Sequence, residues 1–199
     1  MRLAVLALGA VIVAGLGVAV LRAPHPGSSA APSGDASASI GGPFALVDQG
    51  GRAVDQRVLA GKWSAVFFGY TNCPDTCPAT LLALNVAAAK LGPARKDFQV
   101  VFVSIDPARD TPAQMKLYVA NQGYPPGGLI GLTGSPAQVA AIANGYHVFY
   151  AKAGTGADYG MQHSAGVYLM DPKGRFSRPL DEAAPPTQLT QQIAAAMHG

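Results

Sequence analysis

The chain is 199 residues long, 49% apolar and only 13% charged, with a net charge of +3. A disordered chain is poorer in apolar groups and richer in charge, so that class is excluded, and the basic excess is too mild and too scattered for nucleic-acid binding. Two cysteines exclude a multi-disulfide scaffold and any four-cysteine zinc site, but leave one disulfide or one metal site completed by other ligands.

The chain opens with Met1-Arg2 and an unbroken run of small and apolar residues from Leu3 to Leu21. As a helix this run spans roughly 28 Å at about 1.5 Å per residue, against a bilayer core of about 30 Å. The exit Val20-Leu21-Arg22-Ala23-Pro24 is a poor cleavage site, and no cysteine follows it to carry a lipid. Residues 1–22 therefore read as an uncleaved single-pass membrane anchor rather than a removed signal sequence. Residues 23–39 are almost entirely Ala, Pro, Gly and Ser, a flexible linker that cannot bury a core. A globular domain is expected over 40–199, roughly 160 residues and enough for a good core.

In that domain, apolar runs at Ser64–Gly69, Phe98–Ile105 and Gly166–Met170 read as strands covered on both faces. Shorter strand candidates are Phe44–Val47 and Tyr146–Lys152. Pro78–Leu91 is rich in Ala and Leu and is stopped by Gly92-Pro93, which predicts a helix. Thr111-Pro112-Ala113-Gln114 and Ser135-Pro136-Ala137-Gln138 both read as capping boxes with proline at the first helical position. Asp171–Gly174 reads as the turn of a terminal hairpin, and a last helix is expected over Pro186–Met197. Strands alternating with helices and ending in a hairpin predict an α/β sandwich around a mixed sheet. No nucleotide-binding glycine motif follows a strand.

Both cysteines lie in Tyr70-Thr71-Asn72-Cys73-Pro74-Asp75-Thr76-Cys77-Pro78, after a strand and at the opening of a helix. Free N–H groups and the helix dipole stabilise a thiolate there, so low-pKa thiols are expected. At a spacing of i and i+4, one helical turn would bring both sulfurs to one face. Such a pair can chelate a soft metal ion or close a disulfide. A structural disulfide across so short a loop gains little chain entropy. Asp75 adds a negative charge between the thiols or serves as a helix N-terminal acid. Of the four histidines, His25 falls in the linker, His198 at the C-terminus and His147 in a strand candidate. His163 falls in a loop directly before a strand, where binding residues gather in α/β sheets.

Several motifs in order resemble the Sco (SenC) family of copper-binding assembly proteins. They are Phe68-Gly69-Tyr70-Thr71-Asn72-Cys73 continuing through Cys77-Pro78, Val103–Pro107 with Arg109–Pro112, Gly131–Gly134, and His163-Ser164 followed by Tyr168–Pro172. The resemblance implies a thioredoxin-like fold, with a mixed central sheet flanked by helices. It implies one copper per chain, Cu(I) or Cu(II), bound by the sulfurs of Cys73 and Cys77 and a nitrogen of His163, a donor set suited to both oxidation states. The implied role is a metallochaperone, not an enzyme. It would deliver copper to the binuclear CuA centre of cytochrome c oxidase, or prepare the thiols of that centre. The implied partners are the copper-bearing oxidase subunit or another copper chaperone. The implied place is the inner membrane, with the domain on the periplasmic side. Many family members carry an acidic residue just before the histidine, where this chain has the uncharged Gln162.

Three rival readings use the same residues. A thiol–disulfide oxidoreductase would use Cys73 and Cys77 as a redox pair, although such reductases usually carry CxxC and a proline in the facing loop. A peroxiredoxin needs a PxxxTxxC pattern that this chain lacks. A Cys–His hydrolase would leave the second cysteine unexplained.

Overall fold

A computed structural model describes residues 40–198. The expected anchor over 1–22 and the expected linker over 23–39 lie outside the described residues. Among the described residues, no helix is long and apolar enough to cross a membrane.

The described residues form nine strands and four α-helices. Two near-continuous apolar segments build the centre of the sheet, β3 (Trp63–Gly69) and β4 (Phe98–Ser104), paired in parallel. Their side chains alternate between two cores, as the two-residue period of a strand requires. Ala65, Phe67, Phe98, Val100 and Phe102 face one core; Val66, Phe68, Val101 and Val103 face the other. The first core is closed by α1 (Thr76–Lys90), α2 (Pro112–Ala120) and α4 (Pro186–His198), which contribute Leu81, Met115 and Ile193. The second is closed by α3 (Pro136–Gly145), which contributes Val139 and Ile142. Burial on both faces explains why these strands lack a polar alternation.

The whole sheet has seven strands in the order β2 (Ala53–Asp55), β1 (Ala45–Asp48), β5 (Leu129–Thr133), β4, β3, β8 (Val167–Met170), β9 (Phe176–Leu180). The hairpin of β1 and β2 adds to one side of β5. The expected terminal hairpin is β8 with β9, and β8 runs antiparallel to β3. The central mixed sheet flanked by helices is thus the architecture expected from the sequence.

Several local expectations shift. Helix α1 begins at Thr76 rather than Pro78, because Asp75 caps it by accepting the Thr76 N–H at 2.5 Å. Cys77 therefore lies inside the helix. Ser135 and Gln138 make the full reciprocal capping box, whereas Thr111 shows only the half in which its hydroxyl accepts the Gln114 N–H. The expected strand over Tyr146–Lys152 begins only at Tyr150. Tyr146 ends α3, and His147 takes a left-handed backbone with φ 55°. The loop expected to carry His163 is instead β7 (Gly160–His163), paired with β6 (Tyr150–Ala153) as a separate two-stranded ribbon.

Candidate metal centre

Strand β3 ends in Gly69, and the chain must turn sharply there to start α1. A Cβ at Gly69 would stand 2.7 Å from the Cys77 sulfur and 2.8 Å from the Phe102 ring, so only glycine lets Cys77 pack against the strand end. Cys77 is completely buried as a result. The turn then closes by the Cys73 N–H donating to the Tyr70 carbonyl at 3.1 Å. Cys73 stays half-buried, and its sulfur accepts the Cys77 N–H at 3.3 Å. Both cysteines are free thiols. They meet because the turn folds back over the start of α1; Cys73 is not on the helix, so one helical turn is not what joins them.

The expected lowering of the thiol pKa is not what governs Cys77. Burial pushes its thiol up, and the neighbouring Cys73 pushes it further. Desolvation outweighs the helix N-terminus here. The buried Cys77 thiol therefore favours its protonated form.

His163 ends β7, opposite Tyr150 in the ribbon. Its Nδ1 lies 2.9 Å from the Ser164 carbonyl oxygen. A carbonyl oxygen only accepts, so Nδ1 carries the proton and Nε2 keeps its lone pair for a ligand. His163 and Cys73 line one open cavity of about 400 Å³, shared with Tyr70, Met161, Gln162 and Glu182. Among the described residues, no three His, Cys, Asp or Glu side chains already form a closed metal cage. The structure thus brings His163 to the cavity that holds Cys73, and the buried Cys77 is joined to Cys73 by its N–H.

His147 and His198 are exposed and lie elsewhere. Asp75 is occupied as the cap of α1. Gln162 is exposed on the cavity rim. Glu182, which sequence reasoning missed, also lines the cavity, and its Oε2 accepts the Gly166 N–H at 3.1 Å. No spacing rule connects it to the cysteines, because it arrives from the loop after β9.

The sequence matches the SCO1/SenC family model over residues 32–198. The chain belongs to the SCO1/SenC family. It is 36% identical to Protein SenC of Rhodobacter capsulatus over 188 residues, covering 92% of this chain and 84% of that protein. It is 43% identical over 141 residues to the mitochondrial Protein SCO1 homolog 1 of Arabidopsis thaliana, covering 70% of this chain but only 41% of that longer protein. The crystal structure of Arabidopsis thaliana ScoI with copper bound superposes with a TM-score of 0.74 at 38% identity, covering 80% of this chain and 99% of that one.

Proposed function

We propose that this SCO1/SenC protein is a copper metallochaperone, not an enzyme, that serves assembly of the CuA centre of cytochrome c oxidase. One observation carries the reading: Cys73 and His163, from different elements far apart in the chain, line one cavity, and the Cys77 N–H rests on the Cys73 sulfur. Two thiols and an imidazole are the soft donor set that suits Cu(I) and also accepts Cu(II). The copper-bound relative of the same family supports the choice of metal. Cys73, Cys77 and His163 are the proposed ligands, for one copper per chain. Residues 1–22 would anchor the protein in the inner membrane and hold the domain on the periplasmic side, where a copper-bearing oxidase subunit or another copper chaperone would meet it.

Each residue has a definite task in this reading. Cys77 anchors the ion from beneath and loses its proton as the ion binds. Cys73, half-buried, faces solvent and is the sulfur a partner ligand can reach. His163 presents Nε2 from a ribbon outside the main sheet, so it is the ligand that can leave first as a partner donor enters.

Exposure of Cys73 above a buried partner thiol also favours a second reading, reduction of a target disulfide. The Cys73 thiolate would attack one target sulfur, forming a mixed disulfide and releasing the other as a thiol. The Cys77 thiolate would then displace the second target thiol and leave a Cys73–Cys77 disulfide, so two electrons pass to the target.

Anaerobic titration of the reduced full-length protein with Cu(I) separates the two. The chaperone reading predicts one tight copper per chain, abolished by Cys73→Ser or Cys77→Ser. Weak copper binding with a reversible Cys73–Cys77 disulfide would instead assign the protein to thiol reduction.

A further inference from the structure

The loop after β4 joins the cysteine turn to the histidine ribbon. Ile105 donates its N–H to the Gly69 carbonyl at 2.8 Å, which fixes the loop to the end of β3. Asp110, buried, accepts the Thr71 N–H at 3.1 Å and the Thr71 hydroxyl at 2.6 Å, and so holds the cysteine turn from below. Ser104 adds a third donor to the same carboxylate at 2.6 Å.

Arg109 makes the link to the ribbon. Its Nε donates to Asp106, itself buried, and its Nη1 donates to the Tyr159 carbonyl at 2.9 Å. The guanidinium carbon lies 3.6 Å from the centre of the Tyr159 ring and 5.9 Å from that of Tyr70. The Tyr159 hydroxyl closes the triangle by donating to Asp106 at 2.6 Å. Tyr70 lies three residues before Cys73 and Tyr159 four residues before His163. One side chain therefore touches the approaches to two proposed ligands on different elements.

The other end of the ribbon is fixed separately. The Ser164 N–H donates to the Phe149 carbonyl at 2.9 Å, and the Phe149 N–H donates to the Ser164 hydroxyl at 3.0 Å. His163 thus lies between two fixed points, and only the Tyr159 end is tied to the loop that also holds the cysteine turn.

We propose that Arg109 is a positioning residue for the copper site, holding the His163 ribbon in register with the Cys73–Cys77 turn by clamping Tyr159 against Asp106. It touches no metal and acts only through His163. The fork of the guanidinium matters as much as its charge, because it donates to a carboxylate and a carbonyl while lying against a ring. This inference rests on the ligand assignment above.

The test uses the full-length protein loaded with copper. It reads the Cu(II) electron paramagnetic resonance spectrum and the rate of Cu(I) loss to a competing chelator, beside the thermal midpoint. Loss of a group that orients a ligand typically costs roughly 10- to 100-fold in metal affinity. Arg109→Ala should speed copper loss by a factor in that range and move the Cu(II) spectrum toward that of His163→Ala. Arg109→Lys should not restore the wild-type values. Tyr159→Phe keeps the ring, folds if Arg109→Ala does not, and should shift the spectrum in the same direction by a smaller amount. In a His163→Ala background, Arg109→Ala should add nothing to the rate of copper loss. An unchanged spectrum and rate in Arg109→Ala, with only the thermal midpoint lowered, would overturn the proposal, as would a full additive effect without His163. A His163→Ala spectrum identical to wild type would instead overturn the ligand assignment on which it stands.

Discussion

The cysteine turn and the histidine ribbon face one cavity but have different foundations. The turn follows β3, where every residue from Ser64 to Gly69 is buried, and it leads into a helix whose Cys77 is fully enclosed. The ribbon of β6 and β7 forms its own two-stranded sheet, and none of its residues is buried. A two-stranded ribbon has little stability of its own, so this one depends on the packing of Tyr150 and Met161 against the second core, the side-chain clamp at Tyr159 and the hydrogen bonds at Ser164. The two cysteines proposed as ligands are thus set by the global stability of the domain, and the proposed histidine ligand by local contacts. A metal carrier benefits from that division, because one ligand can open without unfolding the site.

The largest effect is expected from disturbing the foundation of the turn. Gly69→Ala inserts a methyl group against Cys77 and the Phe102 ring. Overpacking of this kind costs about 1–3 kcal/mol, so urea denaturation should show a clearly lowered midpoint and copper titration a weakened site. Asp110→Ala comes next. It strands the Thr71 and Ser104 donors, each of which loses a buried acceptor, and should cost about 1–3 kcal/mol in the same assay. Alkylation of Cys73 should also become faster, because the turn above Asp110 is released.

Amide hydrogen exchange sharpens the same contrast without a substitution. Amides of Gly160–His163 should exchange faster than those of β3 in the metal-free protein. Copper should slow the ribbon and leave β3 unchanged; equal protection in both elements before loading would contradict the division.

The smallest effect is a pH dependence. Burial raises the Asp110 carboxyl above its ordinary range, although Ser104 and Thr71 oppose the shift. Its protonated form is favoured in the folded state, so its contribution is fully present below the ordinary carboxylate pKa and is lost as pH rises through the raised one. Asp48 and Asp171 carry the opposite sign. Burial raises them, but hydrogen bonds with Arg52 and Arg175 bring both below the ordinary range. Their contribution is lost as pH falls through the lowered values. The stability gap between wild type and Asp110→Asn should therefore shift in favour of the variant as pH climbs from the carboxylate range toward neutrality, measured by urea denaturation at each pH.

Much of this was legible in the sequence. Continuous apolar runs betrayed β3 and β4 because both faces are buried, and the paired cysteines at a strand–helix junction pointed to a thiol site. The strand β7 was not legible. Its four residues, Gly160-Met161-Gln162-His163, lack a strong alternation, and pairing with β6 alone defines it. Strands β2 and β5 are short, and β5 contains Gly131, which leaves room for the Met115 side chain of α2. The raised Cys77 thiol was hidden for another reason. Position at a helix N-terminus can be read from sequence, whereas burial under Gly69 and Phe102 comes from tertiary packing. The placements of Arg109 and Glu182 depend on long-range contacts that no spacing encodes.

X-ray absorption at the copper edge, on the Cu(I)-loaded full-length protein and its His163→Ala variant, tests the central claim most directly. Two sulfurs and one imidazole nitrogen around each copper in the wild type, with the imidazole scattering lost in the variant, is the result predicted by a site that joins a core-held thiol pair to a ribbon-held histidine. Two sulfurs with no imidazole in both proteins would contradict it.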